Sequence, residues 1–168
     1  MEQPVDIKAQ IRYENRVAAT WLIHYRQRKR EHDERRHEIE AGLKEKDDNV
    51  GGGRSSLPGR PVESLVCKLD EHDNSNTAKW LQVVEDTKDI LGPKKLQLLE
   101  LRQECRLYLS PNGGRPGWIA PVQCRFGEIT GWCPAERTIQ DMWRDIVALA
   151  VRVAISRGCQ FKINKTRV

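Results

Sequence analysis

No proline interrupts residues 5–50, and that run carries a heptad seam: Ala18, Leu22, Tyr25, Lys29, His32, Arg36, Ile39 and Leu43 follow one another at alternating steps of four and three. Such spacing predicts one long helix over residues 6–48. Ile11, Ala18, Trp21, Leu22 and Tyr25 give its first half an apolar face. The section RQRKREHDERRHEIE is almost wholly polar, held helical by pairs three and four residues apart. A solvated helix or a weak coiled coil fits that section better than a core helix. The expectation is a charged helical arm over residues 1–50, serving self-association into a homo-oligomer or contact with a partner such as RNA polymerase.

The arm stops at NVGGGRSSLPGRP, residues 49–61. Glycine and serine remove stiffness there, and two prolines oppose helix continuation, so 51–61 reads as a linker. The Gly51-Gly52-Gly53 run lacks the lysine and hydroxyl residue of a phosphate loop. Residues 62–168 then read as a helical domain. Val62, Leu65, Val66 and Leu69 mark a short helix. DEHDNSN breaks it and supplies Asn74, Ser75 and Asn76 as N-cap candidates. Trp80, Val83, Val84, Thr87, Ile90 and Leu91 mark the next helix, which Gly92-Pro93 ends. Pro93 suits the first turn of another, carried by Leu96, Leu98, Leu99, Leu101, Cys105 and Tyr108 to about residue 109. SPNGGRPG is a loop. The fold class is therefore all-α, a long N-terminal helical arm plus a helical C-terminal domain.

The C-terminal third carries the functional reading. Val122, Phe126 and Ile129 line one face of a helix starting near Pro121. Gly131-Trp132-Cys133-Pro134 is a short break. A long helix then begins at Ala135 or Glu136, with Ile139, Met142, Trp143, Ile146, Val147, Ala150, Val153 and Ala154 on one face and Gly158 placed to close it. Two helices joined by a short turn, the second leading with polar residues, outline a helix-turn-helix at about 121–157. Its recognition face would offer Glu136, Arg137, Thr138, Gln140, Asp141 and Arg144 to base edges. Arg152, Arg157, Lys162, Lys165 and Arg167 follow as phosphate contacts.

Charge points the same way. The chain has a formal net charge of +5, with 38% hydrophobic and 32% charged residues. Residues 1–50 hold eleven Lys and Arg against eleven Asp and Glu, whereas residues 93–168 hold thirteen against six. The basic surplus lies beside the helix-turn-helix, which favours double-stranded DNA as partner.

Two segments also resemble a family. KWLQVVEDTKDILGPKKLQLLELRQE and WCPAERTIQDMWRDIVALAVRVAISRG are similar to the phage-encoded RinA/ArpU-type late transcription regulators of Gram-positive bacteria, over roughly residues 12–158. Arg137-Thr138-Ile139 stands at the start of the family's recognition helix, followed by Trp143 and a basic, apolar tail. SPNGGRPGWIAPVQC departs from the family's compact sigma-factor-like unit. The resemblance implies a sequence-specific DNA-binding regulator of late genes, phage- or prophage-encoded and working in the cytoplasm of the bacterial host. A small-terminase-like DNA-packaging protein is the chief alternative, and a coiled-coil adaptor without DNA binding a second.

Other classes find little footing. No secretory h-region or run of about eighteen apolar residues occurs, so no membrane partner is expected. The five cysteines, Cys67, Cys105, Cys124, Cys133 and Cys159, form no CxxC pair, and His24, His32, His37 and His72 all precede Cys105, so neither a metal nor a disulfide framework is expected. There is no HExxH, nucleotide loop or histidine set beside a nucleophile; the expectation is no enzyme, no catalytic residues and no cofactor. Trp21, Trp80, Trp118, Trp132 and Trp143 read as core or interface anchors.

Overall fold

The computed structural model describes residues 6–41, 60–105 and 117–162. The fold is all-α: among the described residues there are six helices and no strand. They are α1 (Ile7–Ala41), α2 (Arg60–Asp73), α3 (Asn76–Ile90), α4 (Pro93–Glu104), α5 (Ile119–Thr130) and α6 (Glu136–Ser156). No helix among them is long and apolar enough to cross a membrane.

Local chemistry sets most boundaries. Asp6 accepts the Lys8 backbone N–H at 3.0 Å and opens α1. Of the three capping candidates before α3, Ser75 is the cap, its Oγ accepting the Ala78 N–H at 3.2 Å. Gly92 and Pro93 start α4, where proline's missing N–H costs nothing. Gly131, at φ 68°, closes α5 in a left-handed conformation. At the end of α6, Cys159 N–H bonds the Ala154 carbonyl at 2.9 Å and Gly158 N–H the Ile155 carbonyl at 3.0 Å. With Gly158 at φ 65°, that pairing is a Schellman closure. The α2 start falls at Arg60, slightly before the expected one, and the continuations of α1 to 48 and α4 to 109 lie outside the described residues.

The largest departure from expectation concerns α1. Val17, Ala18, Trp21, Leu22 and Tyr25 are buried in the same core as Trp80, Val83 and Val84 of α3, Leu98, Leu99 and Leu101 of α4, Val122 and Phe126 of α5, and Ile139, Ile146, Val147, Ala150 and Ala154 of α6. The first half of α1 is therefore a core helix, packed on α3, α4 and α6. The apolar face of that first half needs cover, and the core of its own chain supplies it. A buried bond reinforces the docking, Gln103 Nε2 donating to the Leu22 carbonyl at 2.9 Å. The polar half of the heptad seam is also used within the chain. Lys29 donates to Glu85 Oε1 at 2.6 Å, His32 stacks on His72, and Arg36 pairs with Asp73 at 3.3 Å. The seam thus meets α3 and α2 of its own chain, which removes the sequence argument for an intermolecular coiled coil.

The segment after α6 returns across α3. Trp80 Nε1 donates to the Gln160 carbonyl at 3.0 Å, and Asn76 and Gln160 exchange bonds of 3.1 and 2.9 Å. Phe161 meets the Trp80 ring edge-on. Four residues assigned to apolar faces stand in solvent instead: Ile11, Val66, Ile90 and Ile129.

Candidate nucleic-acid interface

Helices α4, α5 and α6 pack on one another in all three pairings, so α6 is held from two sides. The α5–α6 connection is Gly131–Ala135, a little longer than the expected break because Ala135 caps α6 from outside. Several contacts order it. Gln123 Nε2 donates to the Pro134 carbonyl at 2.7 Å, and Trp132 N–H donates to Thr130 Oγ1 at 3.2 Å.

The periodicity of α6 sorts its side chains as the sequence pattern requires. Ile139, Ile146, Val147, Ala150 and Ala154 are buried, while Arg137, Asp141, Arg144 and Arg152 are exposed along the opposite stripe. Thr138 and Gln140 flank that stripe half-buried, and Gln140 is turned to Glu136 Oε1 at 3.0 Å. Trp143 and Met142 are half-buried against the core.

Ion pairing decides what charge the stripe presents. Asp141 is taken by Arg144 at 3.1 Å and Asp145 by Lys95 of α4 at 2.8 Å. Among the described residues Arg137 and Arg152 form no ion pair, so they are the open cations of this face. Arg157 is not open. It pairs with Asp86 of α3 and holds that carboxyl below the usual aspartate range by donating to it. Arg157 therefore clips the end of α6 to α3. Lys162 is exposed; Lys165 and Arg167 lie outside the described residues.

Two neighbouring features had no sequence signal, because their partners come from separate parts of the chain. Lys94, in the first turn of α4, places its ammonium 4.5 Å from the Trp132 ring centroid, and Phe126 supports the same indole edge-on. Trp132 stays 40% exposed beside the start of α6. On the other side of α6, the Arg102 guanidinium sits 4.4 Å from the Trp118 ring centroid and 5.8 Å from that of Trp143. Burial lowers the Arg102 pKa to about 10, with the two rings supplying cation–π contact in place of a carboxylate. Trp118 and Trp143 are thereby anchors, in keeping with their sequence reading.

No three His, Cys, Asp or Glu side chains among the described residues gather into a group that could hold a metal, and all five cysteines are free thiols. No family model, no curated protein and no solved structure matches the chain.

Proposed function

We propose that the protein is a sequence-specific DNA-binding regulator that lays the N-terminal half of α6 into the major groove. The observation that carries this reading is the α6 stripe. Its cations Arg137 and Arg144 lie opposite the buried Ile139, Ile146, Val147, Ala150 and Ala154, on a helix packed on α4 and α5 and preceded by an ordered turn. Arg137 is one residue inside the helix start, where side chains of a recognition helix reach deepest into a groove. It also forms no ion pair among the described residues, which leaves its guanidinium available for a bidentate base contact. The basic surplus of residues 93–168 adds phosphate attraction.

The resemblance to RinA/ArpU-type regulators supports assignment to late phage genes. The adaptor alternative loses its main support, because the heptad seam is engaged within the chain. Selection of bound duplexes from a random DNA pool by the full chain tests the proposal. Recovery of one defined site supports it; recovery of an unenriched pool contradicts it.

A further inference from the structure

Helix α2 is attached differently from the others. None of its described side chains is fully buried, Leu65 and Leu69 are only half-covered, and Val66 and Cys67 are exposed. It packs on the polar second half of α1. Where the two helices meet, the imidazoles of His32 and His72 stack with ring centroids 3.9 Å apart and planes tilted by 33°. Their side chains are only 12% and 11% exposed.

We propose that this histidine pair is a pH-operated latch, holding α2 against α1 while both rings are neutral and releasing it when both take protons. Neutral imidazoles can share a face and exclude water, whereas two imidazolium rings at this separation repel across a poorly hydrated contact. Three further features oppose double protonation. His32 Nε2 is buried without a partner, so a proton placed there would create a buried N–H with no acceptor. The carboxylates beside the rings are only partly free to help. Asp33 Oδ1 lies 3.8 Å from His32 Nδ1, and Asp73 Oδ1 lies 3.3 Å from His72 Nδ1 but is shared with Arg36. The adjoining groove, about 630 Å³, adds Lys79 of α3, a cation unpaired among the described residues, while its other cations, Lys29, Arg36 and Arg157, are paired with Glu85, Asp73 and Asp86. Its remaining acid, Glu85, is already committed to Lys29 and Tyr25.

Two positive rings with centroids 3.9 Å apart would face each other with Asp73, itself shared with Arg36, at 3.3 Å and Asp33 at 3.8 Å as the carboxylates beside them. Acidification through the imidazole range therefore favours separation of α2 from α1, while the core of α1, α3, α4, α5 and α6 keeps its packing. Release would bare the half-buried Leu65, Leu69 and Ile39, giving the chain an acid-exposed apolar patch. This inference is independent of the DNA reading.

Amide hydrogen exchange on the full chain tests it, at about pH 7.5 and about pH 5.5, on either side of the imidazole range and with exposure times scaled for intrinsic exchange. On acidification, residues 60–73 should lose about tenfold of their protection while α3 and α6 keep theirs. His72→Phe preserves a stacking ring but cannot titrate, so α2 should stay protected at both pH values; His32→Phe should behave likewise. Unchanged α2 protection in the native chain overturns the proposal. So does an acid loss that persists in both variants, and so does loss of α2 protection at neutral pH in both, because a stacked uncharged ring would then not suffice to hold the helix.

Discussion

Trp21 of α1 and Trp80 of α3 lie stacked with ring centroids 5.6 Å apart and planes within 1° of parallel. Both are buried, and the Arg28 guanidinium covers Trp21 at 3.8 Å from its ring centroid. This pair joins the long helix to the rest of the molecule. Trp21→Ala should therefore destabilise the chain by about 3–5 kcal/mol, read by urea unfolding. Removing residues 6–41 should abolish cooperative unfolding altogether. A truncated chain that melts as sharply as the full one would show that α1 is an arm after all.

Inside α6 the two faces should respond oppositely. Ile139 is fully buried, so Ile139→Ala should cost about 2–5 kcal/mol. Arg144→Ala, on the exposed stripe, should change stability by no more than about 0.5 kcal/mol. Thermal melts of the two variants make the comparison, and equal losses would mean that α6 is rotated from the orientation described.

The α1–α3 contact should also shape the pH profile of stability. Hydrogen bonds from Lys29, and then from Tyr25, hold the Glu85 carboxyl below the usual glutamate range. Its contribution is present above the unfolded-state pKa and is lost as pH falls through the lower folded-state value. Lys29 is raised, chiefly by its bond to Glu85, so its contribution is full below the unfolded-state lysine value and fades only as pH rises beyond it. The stability contributed by this contact should thus be flat across neutral pH and decline on the acid side. Glu85→Gln should flatten that acid decline; an unaltered acid limb would show that Glu85 carries no pH-linked stability. Both side chains are well solvated, so the effect should be small.

Arg157 belongs to this structural group more than to the DNA face. It is paired with Asp86, and Arg157→Ala should cost no more than about 1 kcal/mol of stability at this partly exposed site. Measured in the same variant, DNA affinity should change less than in one lacking an open cation such as Arg152. A larger affinity loss at Arg157 would return it to the phosphate-contacting set.

What the sequence reveals and what it hides divide along one physical line. Ser75, Pro93, Gly131 and Gly158 act on residues within a turn of themselves, so helix order and ends could be read directly. The α6 faces were equally legible, because one period of 3.6 sorts Ile139 from Arg137 without knowledge of any partner. The docking of α1 was not. Tyr25 finds Glu85 at a separation of 60 residues and Gln103 finds the Leu22 backbone at 81, and nothing local announces either meeting. The candidate interface divides the same way. Arg137 could be placed on an open face from its own helix, but Arg157 required its Asp86 partner, 71 residues away, to reveal a structural role. Lys94 beside Trp132 was invisible for that reason too.

The most direct test of the DNA reading compares Arg137→Ala with Lys162→Ala, on the duplex recovered by selection and on random duplex of equal length. Loss of a base contact should weaken Arg137→Ala about 5- to 150-fold on the selected site, the equivalent of roughly 1–3 kcal/mol, and leave random duplex nearly unchanged. Lys162→Ala, acting on phosphates, should weaken both duplexes alike. If Arg137→Ala weakens both equally, or neither, α6 does not read sequence through this face.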